Sequence, residues 1–296
     1  MELRVLKYFL MVAREENITR AAKLLHVTQP TLSRQLMQLE QELGIKLFQR
    51  SNHSIILTEE GMLLKRRAQE IVSLVEKTRR ELSNKEEEIV GEVSIGCGET
   101  KNMSFLSEQI TMFRKRYPFV EFHILSATAD DIKERIEKGL LDIGLLVEPV
   151  DIGKYEFIRM PQKEQWGVLT RDDSMLAGRE FVTPEDLSGV PLIMVKREDV
   201  RNRLSNWFGD YYEGLEIAAT YNLLLNAVNM VRHQVGSALC FQLDSGYSGL
   251  SFIPFSPRLE TGAVLAWKKN QTYSRATQKF IQFARKHIID IYDDAI

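Results

Sequence analysis

The sequence predicts a mixed α/β protein in three parts: a cluster of short N-terminal helices, one long amphipathic helix, and two α/β lobes. The chain has 296 residues, which is more than one average domain needs. Apolar residues recur at helical spacing up to about residue 84, and after residue 91 helical segments alternate with short apolar β-type runs. Apolar residues make up 44% and charged residues 27%, as in ordinary globular proteins.

Three short helices are predicted at the N-terminus. The first covers Leu3–Ala13, and the second covers Thr19–Leu25 with Thr19 as its N-cap residue. Thr28 is suited to cap a third helix that has Pro30 in its first turn and ends at Gly44. One face of this third helix is apolar, and the opposite face is polar; the apolar residues are Leu32, Leu36, Leu39 and Leu43.

A β-hairpin is predicted next, over Phe48–Leu57, with residues 51–54 at its tip. Two short helices joined by a tight turn and followed by a hairpin have the geometry of a winged helix-turn-helix, predicted over residues 1–58. Residues 1–57 hold eight Lys and Arg against five Asp and Glu, a net charge of +3, whereas the whole chain has a net charge of −2. The local charge therefore favours nucleic acid, although the overall charge does not.

The long helix is predicted to start after Thr58 and to run to about Asn84, within a linker and hinge segment at residues 59–90. Its apolar residues alternate steps of four and three, which is a heptad pattern: Leu64, Ala68, Ile71, Val75, Thr78 and Leu82. A narrow apolar seam on a charged helix needs a partner. The sequence therefore predicts dimerisation through Leu64, Ala68, Ile71, Val75 and Leu82.

From Glu92 onward, strands and helices alternate, which predicts parallel sheets covered on both faces. Two units of about 100 residues are better explained as two lobes than as one sheet. The first lobe is predicted at residues 91–161 plus 266–296, and the second at residues 162–265. The predicted strands include Leu192–Val195, Ser237–Phe241 and the returning strand Ala263–Lys268.

A ligand cleft is predicted where strands end and helices begin, because ligands of open α/β sheets bind at the carboxyl ends of strands. The candidate effector-binding residues lie at three such junctions: Gly98, Thr100, Lys101, Asn102, Thr128 and Asn222. Helix N-termini together with Lys101 favour an anionic effector such as a carboxylate. Thr100, Thr128 and Asn222 are equally good N-cap residues, so a purely structural role stays open.

The N-terminal segment Phe9–Leu57 closely resembles the DNA-binding domain of LysR-type transcriptional regulators. The residues that carry the match are Tyr8-Phe9, Arg20-Ala21-Ala22, Leu24-Leu25, Val27-Thr28-Gln29-Pro30-Thr31-Leu32-Ser33-Arg34-Gln35, Leu39-Glu40, Leu43-Gly44, Leu47-Phe48, Arg50 and Leu57-Thr58-Glu59-Glu60-Gly61. The rest of the chain resembles the same family, including Trp267-Lys268-Lys269 on the returning strand.

The resemblance implies a recognition helix at residues 29–38 in the major groove of promoter DNA and a wing at residues 50–54. The residues assigned to DNA binding on this basis are Thr28, Gln29, Pro30, Thr31, Ser33, Arg34, Gln38, Arg50, Asn52 and His53. It also implies a periplasmic-binding-protein-like effector domain with cleft hydroxyls matching Thr100 and Thr128, where Glu99 departs from the family's usual small residue. The resemblance implies that the protein forms a homodimer and a homotetramer and that it binds a small-molecule effector. Contact with RNA polymerase is possible on the same basis.

The sequence gives little support to two other classes of protein, an α/β enzyme and a secreted ligand carrier. An α/β enzyme would need a motif that this sequence lacks, because Gly96-Cys97-Gly98 has no third glycine and neither GxxxxGK nor HExxH occurs. A secreted ligand carrier would need a signal peptide, but charges interrupt the first residues. No apolar run could span a membrane, so we expect a cytoplasmic protein.

The remaining polar and sulfur-containing residues predict neither a cofactor nor a metal site. The five histidines have no ligand spacing, and the two cysteines, Cys97 and Cys240, are far apart in the sequence. Both cysteines fall at strand ends near the predicted cleft, which keeps a redox switch as an alternative to simple buried thiols.

Overall fold

A computed structural model describes residues 1–50, 55–82, 89–243 and 246–293. The chain forms two compact units, Met1–Ser83 and Asn84–Ile296. The first unit contains α1 (Leu3–Glu15), α2 (Ile18–Leu24), α3 (Gln29–Leu43), β1 (Phe48–Arg50), β2 (Ile55–Leu57) and α4 (Glu59–Leu82). The order is that of the predicted winged helix-turn-helix and long helix.

The ends of the short helices differ slightly from the prediction because other residues cap them. Asn17, not Thr19, is the N-cap of α2, and its side chain accepts a 2.9 Å hydrogen bond from the Arg20 N–H. Thr28 is the N-cap of α3 by position, but its hydroxyl lies 2.8 Å from that of Thr31 and makes no capping bond. Thr58 does cap α4, accepting a 2.9 Å bond from the Gly61 N–H.

The core of the first unit lies where the apolar stripes of its helices meet. Leu32, Leu36 and Leu39 of the α3 stripe are buried there, whereas Leu43 at the end of the helix is exposed. The Phe9 ring packs 5.3 Å from the Phe48 ring at the base of the hairpin. The other buried members come from α1, α2 and α4. This packing leaves the opposite, polar face of α3 in solvent.

The second unit begins with β3 (Gly91–Cys97), α5 (Asn102–Arg116), β4 (Val120–Ser126), α6 (Ala129–Glu137), β5 (Ile143–Val147) and β6 (Tyr155–Arg159). The chain then forms β7 (Glu164–Arg171), β8 (Leu192–Val195), α7 (Glu198–Phe208), β9 (Ile217–Tyr221), α8 (Leu224–Arg232), β10 (Ser237–Phe241), β11 (Leu250–Pro254) and β12 (Glu260–Thr261). It returns through β13 (Ala263–Lys268) and α9 (Arg275–Asp293).

Two mixed sheets define the two lobes. The first sheet has the order β4-β3-β5-β13-β6, and the second has the order β11-β7-β10-β8-β9 with β12 beside β7. The strands β3, β4 and β5 are parallel, as are β8, β9 and β10, but β13 runs antiparallel to β5 and β6, and β7 runs antiparallel to β10 and β11. The parallel arrangement predicted from the β-α-β-α-β alternation is confirmed for β3, β4 and β5, whereas the strands next to the crossings between the lobes run antiparallel to their neighbours.

The crossing strands also shift the predicted domain boundary. The whole of β13 belongs to the first sheet, so the chain re-enters the first lobe before Ala263 and not at residue 266. Within the described ranges, no helix has the length and apolar character that crossing a membrane requires.

Candidate DNA-binding surface and effector cleft

The outer face of α3 presents the polar residues that the sequence assigned to DNA. Leu32 and Leu36 anchor the helix in the core, and the side chains on the other side are exposed: Thr28, Gln29, Pro30, Thr31, Arg34 and Gln38. Ser33 is half-buried and accepts a 3.0 Å hydrogen bond from the Gln29 amide. These donors and acceptors are of the type that reads base edges and phosphates.

The hairpin follows α3 as predicted. β1 and β2 pair antiparallel, with Arg50 opposite Ile55. Asn52 and His53, the two other predicted wing contacts, lie outside the described residues. The structure therefore positions the base of the wing beside the recognition helix.

A residue that the sequence analysis did not assign holds the hairpin against α3. Glu40 is buried near the end of α3, and its carboxylate accepts hydrogen bonds from the Leu47 N–H at 2.8 Å and the Phe48 N–H at 3.4 Å. Lys46 adds an ion pair at 3.0 Å. Burial raises the pKa of Glu40, but these hydrogen bonds outweigh it and hold the pKa below its ordinary value.

Two different apolar faces run along α4. Leu64, Ala68 and Val72 face the core of the first unit, where Ala68 is fully buried. The assignment of Ala68 to a dimer seam is therefore wrong, because its own domain covers it. Leu64 is half-buried by the same core, and the side chain of Leu82 lies outside the described residues. Ile71 remains exposed and Val75 half-buried.

A cavity of about 110 Å³ lies between the two lobes at the carboxyl ends of their strands. Three of the predicted effector residues line it: Gly98, Thr128 and Asn222. Most of the remaining wall is apolar and includes Leu145, Val147, Trp166, Val195, Leu224 and Phe241. Its mixed apolar wall with a few polar groups is typical of a site for a small molecule.

Thr100, Lys101 and Asn102 do not line this cavity. They surround the fully buried carboxylate of Glu164, which accepts bonds from the Thr100 hydroxyl, the Lys101 N–H at 3.1 Å and the Asn102 side-chain amide at 2.6 Å. Since Glu164 occupies the N-terminus of α5, the lining of this cavity gives no support to the prediction that these three residues bind an effector.

The two other helix N-termini that the sequence singled out are also occupied. Glu99 lines the cavity from the first lobe, and its carboxylate accepts a hydrogen bond from the Leu224 N–H at the start of α8. Thr128 caps α6, because its hydroxyl accepts a 3.4 Å hydrogen bond from the Asp131 N–H and donates at 2.6 Å to the Asp131 carboxylate. The structural reading of Thr128 as an N-cap residue is thus confirmed, while its hydroxyl still borders the cavity.

Arg197 is a cavity residue that sequence reasoning missed. Its side chain is 10% exposed and bridges the lobes: Nε lies 3.3 Å from Asp130, and Nη1 donates to the Val147 carbonyl at 3.4 Å. A second carboxylate, that of Asp199, lies 3.3 Å from Nη2. No local motif signals this role, because Asp130 lies 67 residues earlier in the chain.

Both cysteines are buried free thiols. Cys240 borders the cavity, and burial raises its pKa to about 12. Burial, followed by the charge of Glu99, also raises the pKa of Cys97. Both thiols therefore stay protonated at neutral pH, which disfavours redox reactivity. Within the described part of the chain, no three His, Cys, Asp or Glu residues are grouped to hold a metal ion.

Comparison with known protein families identifies the family to which this combination of domains belongs. Residues 3–62 match the family described as "Bacterial regulatory helix-turn-helix protein, lysR family", and residues 86–288 match the "LysR substrate binding domain". The chain belongs to the LysR family of transcriptional regulators. This LysR-family regulator has a DNA-binding helix-turn-helix and an effector-binding domain, as the sequence predicted.

Relatives and solved structures agree with this assignment. The transcriptional activator IlvY of Salmonella typhimurium is 32% identical over 209 residues, which are 70% of this chain and 71% of that protein. The Hca operon transcriptional activator HcaR of Escherichia coli is 27% identical over 98% of this chain and 99% of its own. Full-length CbnR, solved with its target DNA, has the same fold with a TM-score of 0.76 at 21% identity, over 97% of this chain and 99% of that chain.

Proposed function

We propose that this regulator binds promoter DNA as a dimer through the outer face of α3, and that a small molecule in the interlobe cavity controls its activity. The observation that carries the proposal is the orientation of α3. Leu32, Leu36 and Leu39 are buried in the core, so Gln29, Arg34 and Gln38 face outward. A polar helix face held in this way suits the major groove.

Dimerisation would use the face of α4 that its own domain leaves uncovered. Leu63, Ile71 and Leu74 are 54%, 39% and 41% exposed and share one side of the helix. Three large apolar residues in line on a charged helix favour pairing with the same helix of a second copy. We propose that two such dimers assemble into a tetramer through their lobes.

Control by an effector would act through the relative position of the lobes. Groups from both lobes line the cavity, and Arg197 and Glu99 each contact the opposite lobe. A ligand that binds these groups changes the balance between lobe arrangements only by its differential affinity for them. That shift would then alter how the paired DNA-binding units bend the promoter.

The direct test is retardation of the protein's own upstream DNA in a gel-shift titration with the full-length chain. We expect specific binding with a steep dependence on salt, because the contacts are few and charged. Arg34→Ala should abolish this binding and leave the oligomeric state unchanged. Arg201→Ala removes an exposed arginine from α7 and should bind as wild type. Wild-type affinity of Arg34→Ala would overturn the assignment of α3.

A further inference from the structure

Carboxylate side chains of the protein itself occupy helix N-termini around the cleft. Glu164 fills the N-terminus of α5, and Glu99 fills that of α8. The first turns of α6 and α7 carry further acidic residues, including Asp131 and Asp199. Helix N-termini attract anions, but here carboxylates of the chain accept N–H groups at the start of α5 and α8, and acidic side chains stand in the first turns of α6 and α7. At α5 and α8 a carboxylate effector would have to displace a carboxylate of the protein.

The cationic side chain of the cavity lining is neutralised in the same way. Arg197 engages Asp130 through Nε, Asp199 through Nη2 and the Val147 carbonyl through Nη1. One guanidinium therefore faces two carboxylates within 3.3 Å. The lining itself holds one anion, Glu99, and one cation, Arg197. Asp130 and Asp199 offset the arginine from outside the lining, so these four groups together carry a net charge of −2. This balance opposes a ligand anion and favours a ligand cation.

Aromatic residues share the cavity lining with Glu99. The Trp166 and Phe241 rings lie 4.3 Å apart, and the Tyr221 ring joins them at the cavity wall. The charge of Glu99 acts on this wall, because it is one cause of the raised pKa of Tyr221, after burial and the neighbouring Cys240. A carboxylate beside aromatic faces is the combination that binds organic ammonium groups.

We propose that the effector carries a cationic amine that binds the Glu99 carboxylate, with a small apolar body against Trp166, Phe241 and Val147. This inference rests on the proposed role of the cavity as the effector site. The volume of about 110 Å³ favours a small ligand, because sites for drug-sized molecules run to roughly 300–1,000 Å³. The sequence favoured an effector with a carboxylate, whereas the structure favours an effector with a positive charge.

Three small probes of similar shape and different charge test the proposal with the full-length protein: isobutylamine, isobutanol and isobutyrate. Binding is measured by saturation-transfer NMR and thermal shift. We expect isobutylamine to bind wild type at least tenfold more tightly than isobutyrate. Glu99→Gln should lose that preference, whereas Glu108→Gln, an exposed carboxylate on α5, should retain it. Glu99→Ser vacates the N-terminus of α8 and should gain binding of isobutyrate.

The outcomes separate the charge of the ligand from the location of its site. Gly98 lines the cavity and has open space where a Cβ would stand, so Gly98→Leu fills the cavity without a clash at Cβ. One result would be that isobutyrate binds wild type more tightly than isobutylamine and loses its binding in Gly98→Leu. That result would overturn the proposal of a cationic effector and support the cavity as the effector site. If no probe binds, or Gly98→Leu changes nothing, both proposals fail.

Discussion

The carboxylate of Glu40, at the end of the recognition helix, accepts a 2.8 Å hydrogen bond from the backbone N–H of Leu47, at the start of the wing. The bond spans a turn of the chain that contains Gly44 in the left-handed region, with φ of 68°. The helix α3 and the hairpin beside it are thus joined by one buried side chain. We expect their relative orientation to depend on its charge.

Glu40→Gln should loosen the wing without unfolding α3. The neutral amide accepts the two backbone bonds less strongly and loses the Lys46 pair, so we expect protection of the Leu47 and Phe48 amides to fall by about 1–3 kcal/mol. Hydrogen exchange measured by mass spectrometry on the full-length chain tests this. Glu42→Gln changes an exposed carboxylate on the same helix and serves as the control.

The same carboxylate predicts a dependence of wing protection on pH. The folded pKa of Glu40 lies below its ordinary value of 4.5, so its stabilisation is complete above that value and is lost as pH falls through the folded pKa. Protection at Leu47, corrected for intrinsic exchange, should therefore drop below about pH 4.5 in wild type and stay flat in Glu40→Gln. Parallel profiles for the two proteins would contradict this role.

The exposed face of α4 makes a second prediction. Leu74→Asp places a charge within the apolar stripe shared with Leu63 and Ile71, and should convert the dimer to monomers at micromolar concentration in sedimentation equilibrium. Ser73→Asp adds the same charge at the neighbouring exposed position and should leave the dimer intact. If both variants are monomers, or both are dimers, this face of α4 is not the dimer interface.

The α4 helix shows what a heptad pattern in the sequence can and cannot predict. Heptad spacing indicates that a face will be buried, but it does not say whether the same domain or a second copy covers it. Ala68 satisfies the pattern and is covered by its own domain, whereas Leu74 lies outside the predicted seam and is exposed. The pattern predicted the helix, and the choice of partner required the packing of α1 against it.

The same limit applies to strands and to the cleft. Apolar runs bounded by turn residues predicted Ser237–Phe241 and Ala263–Lys268 to the residue. Tyr155–Arg159 was missed because this strand is only five residues long and Tyr155 is its one buried position, so it has no regular apolar pattern. In the cleft, Thr100 and Asn102 have the local signature of ligand-binding groups. Glu164, more than 60 residues later, takes their hydrogen bonds, and no local pattern reveals such a contact.

Cys240 provides a third prediction, on thiol chemistry. Its pKa of about 12 leaves almost no thiolate at pH 7.5, so labelling by iodoacetamide should be at least 100-fold slower than in the urea-unfolded chain. Mass spectrometry of labelled peptides distinguishes Cys240 from Cys97. Rapid native labelling of either cysteine, or a change in DNA binding after treatment with peroxide, would restore the redox alternative.

The final prediction concerns the carboxylate that joins the lobes at their crossing. Glu164 stands at the start of β7, directly after the first crossing between the lobes, and accepts bonds from the Lys101 N–H at 3.1 Å and the Asn102 amide at 2.6 Å. Glu164→Gln presents one N–H₂ group to a cluster of donors in a fully buried site. An unsatisfied donor and a lost charge-assisted bond should destabilise the lobes by about 2–4 kcal/mol.

Loss of this bond should appear in two measurements on Glu164→Gln. The thermal midpoint of the effector domain should fall by several degrees, as about 2–4 kcal/mol implies for a unit of this size. Amides at the start of α5 should lose protection in hydrogen exchange, while those of α3 should not change. Glu180→Gln, an exposed carboxylate of the second lobe, is the control. If Glu164→Gln melts and exchanges as wild type, the carboxylate does not hold α5, and Thr100 and Asn102 return as candidate ligand groups.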